Sequence, residues 1–230
     1  MKGSRPFTQK EHESIVNHLT LEGGKHGIRN LMWYLVGIYT GNRISSILSL
    51  KIKDCYDSRG KVLDTLAIAR KNMKGKTEGR VDLIPPPLKL AFEEYRVYLK
   101  RCETYHQQAY LIASQKPEKG GEFGAVKARQ CGHILRLICE KLHITGKVST
   151  HSMRKTFADN SFRLAGGDLQ IVQKLLHHKN ISSTMCYLEP DKDKITAIQL
   201  GMGFAEKIPC QNFLVLTEEK EDDIRDRYVP

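Results

Sequence analysis

Between residues 28 and 40 apolar side chains recur at Leu31, Leu35 and Ile38, with Trp33 and Tyr34 beside them and little charge between. That stripe predicts a buried helix, and Gly41 supplies its stop. Upstream, Thr8-Gln9-Lys10-Glu11 sets a hydroxyl three positions before an acid, ahead of Ile15, Val16 and Leu19, which predicts a first helix opened by a capping box. Downstream of Gly41, Arg43 starts a turn into a helix over residues 44 to 50.

The pattern then changes period. Residues 65 to 69 and 80 to 84 are short β-prone runs on either side of a lysine- and glycine-rich stretch, so residues 62 to 84 predict a hairpin with a cationic tip. Three prolines at 85 to 87 end it, because proline cannot donate to a ladder, and residues 88 to 99 alternate as an amphipathic helix. Residues 116 to 124 are charged and glycine-rich, a loop. Helix resumes from Ala125 to Leu142. Ser149-Thr150 caps the next helix, Gly166-Gly167 breaks it, Asp168 caps another over residues 171 to 176, and residues 180 to 183 read as a short link. The expected class is mainly α with a small antiparallel β-hairpin, an α+β chain.

Charge and composition narrow the partners. The 230 residues suffice for a real core, and no run is long and apolar enough to cross a bilayer or to serve as a secretion signal, which places the chain in the cytoplasm. Six cysteines, Cys55, Cys102, Cys131, Cys139, Cys186 and Cys210, show no metal or disulfide spacing, so reduced thiols are expected. His12, His18, His26, His106, His133 and His143 likewise lack ligand spacing, and no metal or other cofactor is called for. The net charge is +11. Residues 217 to 230 carry −3 of it, which leaves +14 on residues 1 to 216, a surplus suited to a phosphate backbone.

The chemistry-bearing residues gather late in the chain. His151-Ser152-Met153-Arg154 sets an imidazole and a guanidinium one helical turn apart; Leu176-His177-His178 follows, and then Tyr187; far upstream stands Arg43. A phenol is a weak nucleophile near neutrality, and a phosphodiester carries charge that must be neutralised as it is attacked. Arginine grips two phosphate oxygens with a planar, permanent charge, and histidine moves protons near pH 7. Singly, Arg43 is an ordinary helix-end arginine and Tyr187 one of nine tyrosines. Together they form a set able to transfer a phosphodiester to a protein hydroxyl.

In this order and context the residues resemble the catalytic domain of the tyrosine recombinases, the phage integrase family. Thr40-Gly41-Asn42-Arg43-Ile44-Ser45 is similar to the family's first arginine box, and His151 to Ala158 matches its second almost letter for letter. The family's last histidine lies nine positions before the tyrosine, which selects His178 and leaves His177 where a glycine is usual. The likeness runs from Arg5-Pro6-Phe7-Thr8 to about Pro190. Ser46 departs from it, standing where many members carry an acid.

The resemblance implies a recombinase fold and a site-specific reaction: integration, excision or inversion of DNA. Tyr187 would attack the scissile phosphate to form a 3′-phosphotyrosine and a free 5′ hydroxyl, and strands would exchange through a Holliday junction. Arg43, Arg154 and His178 would hold the non-bridging oxygens, His151 would assist proton handling, and a hairpin lysine would protonate the leaving oxygen. Lys71, Lys74 and Lys76 compete for that role, with Lys74 favoured by its Lys-Gly-Lys turn. Lys71, Lys76, Arg80 and Lys155 are further candidates to meet DNA. Expected partners are double-stranded DNA, three further copies in a homotetramer on paired sites (a monomer off DNA), and an accessory DNA-bending protein. Residues 1 to 190 would be the catalytic domain, residues 191 to 216 a segment docking on a neighbouring protomer, and residues 217 to 230 a disordered acidic tail. Set against the family, the chain would lack the usual amino-terminal core-binding domain, as an excised fragment or one of the short recombinases similar to fimbrial-switch invertases would. The rival readings are a type IB topoisomerase, a DNA-binding regulator with a dead site, and a basic adaptor.

Overall fold

The structure is a computed structural model; it describes residues 3 to 69, 79 to 102, 106 to 115, 117 and 123 to 188. The segments expected to dock on a neighbour and to form the acidic tail, and Lys71, Lys74 and Lys76, lie outside the described residues.

The first helix, α1 (Gln9–Asn17), opens with the expected capping box, Thr8 and Glu11 each bonded to the other's backbone amide. Its lead-in is stitched to distant chain: Arg5 grips the Glu11 carboxylate with two N–H groups at 2.8 and 2.5 Å, and the Phe7 amide donates to Thr156 Oγ1 at 2.8 Å. The apolar stripe forms α2 (Gly27–Thr40), with Trp33, Tyr34 and Val36 fully buried. Gly41 ends it at φ +61°, a conformation that costs a Cβ-bearing residue about 1–2 kcal/mol. Arg43 then caps the short α3 (Ile44–Leu48).

The hairpin is present as β1 (Thr65–Ile68) paired antiparallel with β2 (Arg80–Leu83), Leu66 opposite Asp82 and Ile68 opposite Arg80. Its sidedness is inverted on β2: Arg80 is buried while Val81 and Leu83 are 63% and 78% exposed. Helix α4 (Pro86–Lys100) begins within the proline run rather than after it, because proline's missing amide is harmless in the first helical turn. Helix α5 (Ala128–Lys141) starts three residues later than expected, since Ala125 instead pairs with Ala113 in a bridge.

Helix α6 (Thr150–Leu164), capped by Ser149, crosses α2 where α2 has no side chains to interfere. A Cβ on Gly37 would lie 2.8 Å from Met153 Sδ, and one on Gly41 would lie 2.3 Å from Phe157 Cδ1. These glycines and their partners are each four apart in sequence, so one face of α6 seats against one face of α2. Asp168 caps α7 (Leu169–Leu175) through the Gln170 and Ile171 amides. The expected link at 180 to 183 is instead helical: α8 (Ile181–Met185) follows Asn180 and packs on α7. Four residues were too few to carry a readable period.

Gly41→Ala is expected to lower stability by about 2–4 kcal/mol in urea denaturation, combining left-handed backbone strain with overpacking against Phe157. Gly132→Ala on α5, where an added Cβ meets nothing within 4 Å, is the control, expected to gain about 0.5–1 kcal/mol.

Candidate functional site

Arg154 projects from α6 and is 1% exposed, yet among the described residues no carboxylate is hydrogen-bonded to it. Its charge is met by carbonyls: Nη1 donates to Gly41 O at the end of α2, and Nη2 donates to Leu176 O at the end of α7, at 2.7 Å. Helix C-termini present unsatisfied carbonyls and the negative end of the macrodipole, so this is a favourable seat for a buried cation. Burial, and then the Arg43 charge, lower the Arg154 pKa to about 10, far enough above neutrality for the charge to remain. Nε, also buried, has no hydrogen-bond partner among the described residues.

A second guanidinium repeats the arrangement one carbonyl back. Arg80 on β2 donates through Nη2 to Thr40 O at 2.6 Å and to Leu175 O at 3.0 Å, while its Nε sits 2.6 Å from both Asp82 oxygens. Asp82 also accepts from Asn42 Nδ2 at 2.8 Å. Expected from sequence to meet DNA, Arg80 is 2% exposed and held through Nε and Nη2 by protein partners, which makes it a staple between β2, α2 and α7. Lys155, also expected to meet DNA, is 9% exposed, on a helix packed against α2, α5 and α7.

His177 and His178 leave α7 through a tight reversal. The His177 amide donates to Lys174 O at 3.0 Å and the His178 amide to Gln173 O at 3.0 Å, the pairing of a Schellman turn. Its first residue past the cap must be left-handed, and His177 has φ +50°, which accounts physically for the glycine expected at that place. The reversal separates the two imidazoles. His177 Nε2 faces Asp82 at 3.8 Å, whereas His178 Nε2 lies 2.9 Å from Arg154 Nη2 and its Nδ1 lies 3.0 Å from Thr184 Oγ1.

Tyr187 follows α8 and completes the cluster. Its ring centroid is 5.3 Å from that of His178 and 5.6 Å from Arg154 Cζ, a cation–π approach. It also packs beside Ala158, Val172 and Leu176, so part of the ordinary packing reading of this tyrosine holds as well. Arg43 is half-buried at the start of α3, close enough for its charge to lower the pKa values of Arg154, His178 and Arg80. Of the sequence-selected residues, the fold therefore brings together Arg43, Arg154, His178 and Tyr187. His151 is exposed in the first turn of α6, its amide bonded to Ser149 Oγ.

Sequence reading missed Asp82, Asn42 and Thr184. Arg80 and Asp82 could have been paired, since positions two apart on a strand share a face. An open cleft of about 660 Å³ beside the site is lined by Lys174, His177, His178 and Lys179.

Residues 5–194 match the model of the phage integrase family. The chain belongs to that family. It is 29% identical over 160 residues to the tyrosine recombinase XerC of Bacillus subtilis, covering 68% of this chain and 47% of the relative. To the tyrosine recombinase XerA of Pyrococcus furiosus it is 28% identical over 183 residues, 80% of this chain and 56% of that one. The chain thus spans about half the length of these curated relatives. A crystal structure of XerA recombinase superposes with a TM-score of 0.67 at 18% identity over 90% of this chain and 68% of the other, which establishes the shared fold.

Burial, then the charges of Arg154, Arg43 and Arg80, push His178 down to about 4. An unfolded histidine titrates near 6.5, so the unfolded chain binds the extra proton first as pH falls. The stabilisation from neutral His178 is complete above pH 6.5 and is lost as pH drops towards 4. His12, His26 and His177 shift in the same direction. Thermal melts should therefore show stability falling from pH 7 to pH 5, and falling less steeply in His178→Gln.

Proposed function

We propose that the chain cleaves and rejoins DNA as a site-specific recombinase through a 3′-phosphotyrosine. The observation that carries this is the meeting of Tyr187 with Arg154 and His178 at 5.6 and 5.3 Å, inside the field of two further guanidiniums and beside one carboxylate, Asp82. Among the described residues, such a cluster is short of negative charge. A phosphodiester supplies it, and the unmet Arg154 Nε–H gains an acceptor.

Tyr187 Oη bonds to phosphorus, and the P–O5′ bond breaks. Arg43, Arg154 and the His178 Nε2–H stabilise the non-bridging oxygens as charge develops on them. His151, exposed in the first turn of α6, assists proton handling from the solvent side. Lys74, in the stretch of sequence between β1 and β2, donates the proton to O5′ as general acid; Lys71 and Lys76 are the alternatives. Because the phosphotyrosine conserves the ester, a 5′ hydroxyl from a second duplex reverses the attack and exchanges strands. Four copies on two paired sites accomplish this in the cytoplasm, aided by a DNA-bending partner. Lys174 and Lys179 line the adjoining cleft and contribute phosphate contacts.

A nicked suicide duplex, drawn from DNA flanking the gene and incubated without metal, tests this on a denaturing gel. The wild type is expected to give a covalent protein–DNA band that Tyr187→Phe abolishes. Bound DNA with no adduct in the wild type would refute the nucleophile assignment for that site.

A further inference from the structure

We infer that Thr184 is a positioning residue that selects the tautomer of His178 and lets it reverse when a phosphate arrives. The inference rests on the phosphotyrosine reading above and assigns a role to a residue outside the family's reacting set.

A guanidinium can only donate. Arg154 Nη2, 2.9 Å from His178 Nε2, therefore requires Nε2 to be the acceptor, with the ring proton on Nδ1. That proton points at Thr184 Oγ1, 3.0 Å away, which accepts it. Burial among three arginines keeps the ring neutral, so it carries a single proton at physiological pH. In the free protein the donor state is fixed: Nδ1–H towards threonine, bare Nε2 towards arginine.

Cleavage needs the opposite arrangement. To bond a non-bridging phosphate oxygen, His178 must present Nε2–H, and Nδ1 must then accept. Among uncharged side chains, a hydroxyl serves both states by rotating, accepting in one and donating in the other. A carbonyl would lock Nδ1–H, and a methyl would leave Nδ1 without a partner in either state. Thr184 is 0% exposed, so no water competes for that bond. It also carries the nucleophile, because its carbonyl accepts the Tyr187 amide at 2.9 Å. One residue of α8 thus fixes the histidine through its hydroxyl and the tyrosine through its backbone.

Thr184→Val preserves shape and removes the hydroxyl; Thr184→Ser keeps the hydroxyl. Nitrogen-15 spectra of histidine in the free wild type are expected to show His178 protonated at Nδ1, and those of the Tyr187→Phe protein bound to the suicide duplex to show the proton moved to Nε2. Thr184→Val should perturb the His178 signals and slow single-turnover cleavage about ten- to a hundredfold, the cost of an unmet buried donor, with serine restoring most of the rate. Nε2–H in the free wild type would overturn the inference without any variant, as would Thr184→Val with unchanged spectra or wild-type cleavage. If the wild type forms no adduct, the phosphotyrosine reading falls, and the free-protein spectra alone decide whether Thr184 sets the tautomer.

Discussion

Two guanidiniums bridge the carboxyl ends of the same two helices, and the arrangement of this site depends on them. Arg80 joins Thr40 O to Leu175 O, and Arg154 joins Gly41 O to Leu176 O, so consecutive carbonyls of α2 and α7 are tied in parallel. Removing a charge from water costs several kcal/mol, which hydrogen bonds to charged groups, worth about 1.5–3 kcal/mol each, can offset. Arg80 has Asp82 to complete the balance. Arg154 relies on carbonyl dipoles, which carry no net charge, so its positive field is left for a ligand.

That asymmetry links packing to chemistry. Gly37 and Gly41 let α6 lie close on α2, which brings Arg154 within reach of the α2 terminus. The Schellman reversal after α7 places His178 against Arg154 and turns His177 towards Asp82. Helix α8 then delivers Tyr187. Each step follows from a backbone terminus: one glycine in a left-handed turn, one histidine forced into another, and a short helix held by its neighbour.

The sequence made legible whatever obeys local rules. The capping box at Thr8, the stop at Gly41, the Asp168 cap and the hairpin are all local chemistry, and the order Arg43, His151, Arg154, His178, Tyr187 is a motif read without coordinates. Contacts between distant carbonyls and side chains were not legible. Arg80 looked like a surface cation on a basic hairpin because nothing local reveals that β2 turns its charged face inward and its apolar face outward. Thr184 carried no signal, since its partner lies six residues away across a turn whose geometry comes from α7. His177 was visibly a histidine in a glycine's place, but only φ +50° says why glycine belongs there.

The central claim is that the unbalanced positive charge of this site exists to neutralise a phosphodiester. Arg43 tests it most directly, because it contributes charge without belonging to the two helix-end bridges. The measurement is single-turnover cleavage by Arg43→Ala of two duplexes, one with an ordinary scissile phosphate and one with a neutral methylphosphonate there. The account predicts that loss of Arg43 slows cleavage of the phosphate by about a hundredfold or more, as for removal of one transition-state donor, while the neutral linkage restores much of the rate. Equal impairment on both duplexes would contradict it.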